Sequence, residues 1–253
     1  MAGTRQISLA LFVGLVLAIA VVQAGPTSRI LGGSDAAAAQ YPHSVSIRVD
    51  DAHVCGGTIV SEKYILTAAH CVSEVATTSI APSRVNVRVG SINQFAGGQI
   101  VPCQSVVIHP NYGSFLHDIA IVGLSEPLQF NDKVNKVSLA FAEDVFEEGT
   151  PVTVTGWGLQ ESGSSPYKLQ HVTMSVLSGP ECELQAGYGY DSVICLDHPE
   201  NTGFCRGDDG AGVVSGTKLI GVASFSFGNC GTKYPDVSSK VSFYREWIDG
   251  VMA

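Results

Sequence analysis

Cys205-Arg206-Gly207-Asp208-Asp209-Gly210-Ala211-Gly212 is a glycine-rich loop that opens on a cysteine and carries two adjacent carboxylates. Working outward from it, two distant stretches hold groups of matching chemistry: Thr67-Ala68-Ala69-His70-Cys71 and His117-Asp118-Ile119-Ala120. The sequence around them alternates with a period of two. Val85, Val87 and Val89 alternate with Arg84, Asn86 and Arg88, and Val152 and Val154 with Thr153 and Thr155. Val172, Met174 and Val176 alternate with His171, Thr173 and Ser175. Each run reads as a half-buried antiparallel strand. Ser215-Gly216-Thr217-Lys218 reads as a turn between two apolar runs, and only the tail, with Tyr244, Trp247, Ile248 and Val251, has helical spacing. Many short strands, frequent Gly/Pro turns and one terminal helix indicate an all-β barrel or sandwich.

Taken together, the three stretches resemble the trypsin/chymotrypsin-like serine protease family, in which a His, an Asp and a G-D-S-G-G-P serine follow in this chain order. Gly156-Trp157-Gly158 and the Trp247 helix match the family pattern too, so the resemblance covers residues 30–253. It implies two six-stranded antiparallel β-barrels, chymotrypsin-like, with a C-terminal helix and an active site in the cleft between them.

Residues 1–29 are separable. Arg5 supplies a positive start, Ile7 to Val22 an apolar run, and Val22-Gln23-Ala24 a small-residue cleavage site. This reads as a secretory signal peptide over residues 1–24, the run being too short for a membrane span; a retained signal anchor is the alternative. By resemblance, residues 25–29 form an activation peptide ahead of the 30–253 domain. Removing 1–29 takes away Arg5 and Arg29, two of 14 basic residues, and none of the 23 acids. The net charge then moves from −9 to −11, which argues against nucleic acid or anionic membrane as partner.

Seven cysteines in a secreted chain imply a disulfide framework with one thiol left over, of connectivity that spacing cannot fix. The resemblance implies Cys55–Cys71, Cys182–Cys195 and Cys205–Cys230. Cys103 remains, either buried and inert or joined to another chain.

For the site, the resemblance makes His70 the general base, Asp118 its orienting carboxylate, and the Gly207 and Asp209 amides the oxyanion donors. His53, His109 and His117 lack such a context and default to surface or packing roles. Arg29-Ile30-Leu31-Gly32-Gly33 resembles the activation site, so cleavage after Arg29 would free an ammonium on Ile30 to pair with Asp208. The implied pocket comprises Gly203 at the base, where trypsins place an Asp, with Phe204, Ser224, Phe225, Ser226 and Asp236 around it. Asp236 then leaves a muted preference for Lys or Arg in a pocket narrowed by Ser226 and the bulk of Phe204 and Phe225; alternatively Asp236 is merely solvated and the pocket closed.

Asp209 stands where the nucleophilic serine belongs. A carboxylate side chain is ionised near neutral pH, so His70 has no proton to remove from it. Its charge also sits beside the place where an oxyanion must develop, and a histidine between two carboxylates favours imidazolium, which is no base. Serine loss in a subtilisin-type enzyme lowers kcat by about 2 × 10⁶, roughly 8–9 kcal/mol of barrier. Ser215 and Ser224 lie outside the loop, and Ala211 and Gly212 replace the family's Gly and Pro. As ligands, His70, Asp118 and Asp209 are poorly disposed for a metal because Asp118 faces the histidine. Residues 91–104 hold no acid, so no calcium is expected there; no cofactor is implied.

These residues lead to a secreted, non-catalytic homologue (a pseudoenzyme) that binds extracellular proteins such as proteases, zymogens or inhibitors. Family analogy suggests a regulator or cofactor of a proteolytic cascade, as in innate immunity or reproduction. The alternatives are an endopeptidase-like enzyme with residual or altered hydrolysis, and a structural or adhesive protein linked through Cys103.

Overall fold

The computed structural model describes residues 30–159, 163–228 and 230–253. The signal-peptide and activation-peptide expectations, with Arg29, lie outside the described residues. Among the described residues, alternation in the sequence becomes sixteen strands: β1 (Ser34–Asp35), β2 (Ser44–Val49), β3 (Ala52–Ile59), β4 (Tyr64–Thr67), β5 (Ser73–Val75), β6 (Thr78–Ser79), β7 (Val85–Val89), β8 (Gln99–Ile108), β9 (Ala120–Leu124), β10 (Ser138–Leu139), β11 (Pro151–Gly156), β12 (Gln170–Leu177), β13 (Val193–Asp197), β14 (Gly212–Ser215), β15 (Lys218–Phe225) and β16 (Asp236–Lys240). Two α-helices are present among the described residues, α1 (Gly179–Ala186) and α2 (Arg245–Met252). Neither is long and apolar enough to cross a membrane.

Six strands close the first barrel in the order β2-β3-β4-β9-β8-β7. The second barrel runs β12-β11-β14-β15-β16-β13 and closes through a β12–β13 pairing, with β1 and β10 added at its margins. Both are antiparallel and six-stranded, as the resemblance implied. Closure leaves few unpaired backbone edges, which is how an all-β chain of this length avoids edge-to-edge association.

Strand alternation sends one set of side chains into each barrel. Val85, Val87 and Val89 point into the first, with Ile47, Ile65, Ile121 and Val101. Val152, Val154, Val172, Met174 and Val176 fill the second, and the register pairs Val152 with Met174 and Val154 with Val172. Burying each such side chain stabilises the fold by about 1.5–3 kcal/mol before the entropy cost of ordering it.

The two ends of the chain are exchanged between the barrels. Ser34 and Asp35 of β1 pair with His171 and Gln170 of β12 in the second barrel. Helix α2 returns Ile248, together with Trp247 and Val251, to the core of the first. The disulfides are Cys55–Cys71, Cys182–Cys195 and Cys205–Cys230. Cys103 on β8 is buried; its thiol donates to the Ser105 carbonyl (3.0 Å), and burial pushes its pKa up to about 11. Linking it to another chain would require β8 to open.

Candidate active site

Each side chain of the site is placed by the end of a strand. His70 lies on a single 3₁₀ turn, Ala69–Val72, directly after β4, and the Cys55–Cys71 disulfide ties that turn to β3. Asp118 precedes β9, the neighbour of β4 in the first barrel. Asp209 belongs to the loop entering β14 of the second barrel, and the Cys205–Cys230 disulfide holds the start of that loop. The three therefore meet where the barrels face one another.

Asp118 is fully buried and spends both oxygens on orienting the histidine. One accepts the His70 backbone N–H at 2.9 Å; the other accepts the ring Nδ1–H at 2.8 Å. The Ser224 hydroxyl donates to that second oxygen at 2.5 Å, and Ser239 Oγ donates to the Asp118 carbonyl at 2.9 Å. Ser224, which the resemblance placed in the pocket wall, thus braces the orienting carboxylate. Ser215 donates to the Pro151 carbonyl, so neither serine stands free at the histidine.

On the other side of the ring, His70 Nε2 lies 3.7 Å from Asp209 Oδ2. Burial works against a charge on the ring, yet hydrogen bonding and attraction to Asp118 and Asp209 overcome it and raise the His70 pKa to about 10. At neutral pH the ring is an imidazolium between two carboxylates, with no lone pair to accept a proton.

Gly207 adopts φ +96°, and neither its amide nor that of Asp209 donates to another group among the described residues. The Gly207 carbonyl is held from behind: His53 Nε2 lies 3.0 Å from it, and His53 Nδ1 lies 2.8 Å from Ser46 Oγ. A carbonyl can only accept, so Nε2 carries the proton and Nδ1 accepts from the serine. Burial, the largest influence, holds the His53 pKa down at about 4, so this ring is neutral. His53, expected in a surface or packing role, packs edge-on against Trp157 and in addition holds the Gly207 carbonyl. No local motif marks it, because its partner lies 154 residues away. His109 and His117 do pack, stacked at 5.0 Å beside Tyr244 and Trp247.

Asp208 is wholly buried and accepts from the Gly158 N–H (2.7 Å) and the Cys205 N–H (3.0 Å). The Gly-Trp-Gly sequence has its reason here. A Cβ on Gly156 or Gly158 would come within 2.0 or 2.3 Å of the Asp208 carboxylate, so only glycine leaves room. Burial lifts the Asp208 pKa to about 7 against those two N–H donors. Ile30 packs into the same barrel core and is fully buried.

The pocket residues divide. Phe204 belongs to the barrel core beside Ile30 and does not add bulk to the pocket, a correction to the sequence expectation. Phe225 meets Phe115 at a tilt and Tyr188 and Phe227 edge-on, and Ser226 is half-buried. Asp236 is buried, accepts the Phe204 N–H at 3.0 Å, and lies 3.6 Å from His198 Nε2, a residue the sequence did not single out. Among the described residues, the one close trio of potential metal donors is Cys55, His70 and Cys71, and its two sulfurs are joined to each other.

A family model described as Trypsin matches residues 30–248. The chain is 37% identical over 229 residues to trypsin iota of Drosophila melanogaster, covering 88% of each chain. It is 35% identical to trypsin alpha of the same fly (87% of this chain, 86% of the relative). It is also 35% identical to the vitellin-degrading protease of Bombyx mori, covering 87% of this chain and 84% of the relative.

Proposed function

The chain belongs to the trypsin family of serine proteases, and from that premise we propose that it is a secreted, non-catalytic member that acts by binding. One observation carries the reading: a carboxylate stands at the nucleophile's position, 3.7 Å from the base it should feed.

Three consequences of that placement act against peptide hydrolysis. Asp209 has no hydroxyl proton to give up, and His70 already holds the proton it would have to accept. A peptide carbonyl seated on the Gly207 and Asp209 amides would develop its negative charge beside a carboxylate, which repels it. What remains is the cleft and a loop whose Gly207 and Asp209 amides are unengaged among the described residues. That suits recognition of a protease, zymogen or inhibitor, and hence regulation of an extracellular proteolytic cascade such as those of immunity or reproduction. Three disulfides support the extracellular assignment.

Cleavage after Arg29 is part of the proposal. No basic side chain among the described residues pairs with the buried Asp208, and an ammonium freed on Ile30 would supply its counter-charge and favour one pocket conformation. The test uses purified protein cleaved after Arg29 and a broad library of fluorogenic peptides. No turnover is expected; turnover that His70→Ala abolishes would overturn the reading.

A further inference from the structure

The implied specificity pocket contains a charge pair that closes on itself. Asp236 opens β16 and His198 follows β13, two strands paired so that Leu196 lies opposite Asp236. The two side chains, each 1% exposed, approach to 3.6 Å between Nε2 and Oδ1. The other Asp236 oxygen is taken by the Phe204 N–H, and His198 Nδ1 lies 3.0 Å from the Pro199 carbonyl. That carbonyl requires a proton on Nδ1; Nε2 makes no hydrogen bond, and at 3.6 Å its attraction to the carboxylate is one of charge.

Two opposing influences act on this pair. Burial disfavours charge on His198, but contact with Asp236 more than restores it and raises the His198 pKa. Burial likewise lifts the Asp236 carboxyl, while His198 and the Phe204 N–H pull it back. With His198 protonated, as its contact with Asp236 favours, the pair has no net charge, and Asp236 offers no unpaired negative charge to a visitor.

Gly203 completes the arrangement. Its φ is +126°, and a Cβ there would lie 2.6 Å from Asp236 Oδ2 and 3.2 Å from His198 Nε2. The pair thus fills the space where a side chain at the pocket base would stand. A floor acid at position 203 is sterically excluded as long as His198 and Asp236 are in place.

We propose that His198 is a specificity-determining residue of the cleft: as the built-in counter-ion of Asp236 it takes the part a partner's Lys or Arg would play, so the cleft selects a segment presenting an uncharged side chain. This rests on the binding reading above only in taking the cleft as the docking site. A basic side chain brought to Asp236 would meet His198 as a competing cation in a dry site, an arrangement that rejects it. The expected preference for Lys or Arg is thereby reversed.

The experiment is ligand-observed NMR with benzamidine and its neutral isostere benzamide on wild type, His198→Gln and His198→Gln/Asp236→Asn. Wild type should bind benzamide at least as well as benzamidine. His198→Gln should favour benzamidine by roughly tenfold or more, and the double variant should lose that gain. Wild type favouring benzamidine would overturn the proposal without need of any variant. So would binding of neither probe, or a folded His198→Gln with unchanged preference. None of these readouts involves turnover, so a catalytically active protein could still satisfy them, and an inactive one could fail.

Discussion

Replacing Asp209 by Asn should release the proton that His70 holds. In the wild-type site, Nε2 and the Asp209 oxygen are 3.7 Å apart and both side chains are about one-quarter exposed. Two unit charges at that distance attract by about 4 kcal/mol in surroundings of effective dielectric near 20. A pKa unit is worth about 1.4 kcal/mol, so the Asp209 charge accounts for up to about three units. From about 10, the His70 pKa should therefore fall by two to three units in Asp209→Asn, toward neutrality. The assay is a long-range ¹H–¹⁵N NMR titration of the imidazole nitrogens between pH 5 and 11. The sign for stability follows from the same linkage. A histidine pKa raised in the fold stabilises it fully below the unfolded value near 6.5, and that stabilisation is lost as pH rises through about 10. The unfolding midpoint of wild type should thus decline across that window more steeply than that of Asp209→Asn. A wild-type His70 titrating near 7, or one indifferent to Asp209→Asn, would refute the account of why the base is disabled.

Two further outcomes are expected. Gly158→Ala should destabilise the protein by about 1–3 kcal/mol or more, read as a lower denaturant midpoint, because the new methyl would press on the Asp208 carboxylate at 2.3 Å; an unchanged midpoint would contradict the close packing of the Asp208 side chain. Cys103 should resist a thiol-specific chromogenic reagent in native protein and give one thiol per chain after denaturation, since it is buried with its pKa near 11; rapid native labelling, or a dimer on non-reducing electrophoresis, would revive the chain-linking alternative.

Much of this was legible in the sequence because it is carried by local pattern. Period-two alternation marked β7, β11 and β12, the spacing of Tyr244, Trp247 and Ile248 marked α2, and short motifs marked His70, Asp118 and the Asp209 loop. What escaped depends on partners far apart along the chain. His53 matters because Gly207 reaches it across 154 residues, and Ser224 because Asp118 lies 106 residues away. His198 carries no motif at all; its role appears only once β13 and β16 are paired. Phe204 misled because a large apolar residue next to a pocket glycine reads equally well as lining or as core, and in the loop between β13 and β14 it turns into the barrel core.

The exchange of chain ends between the barrels bears on how such a protein can be controlled. β1 is a strap from the beginning of the domain laid on the second barrel, and α2 a strap from its end laid on the first. Pulling the barrels apart would mean peeling both straps at once, stripping Ile248 from one core and breaking the β1 pairing on the other. Separating the two walls of the cleft therefore carries the cost of breaking both attachments. Any switching must then reside in the loops between strands, which can reorganise while both barrels stay closed.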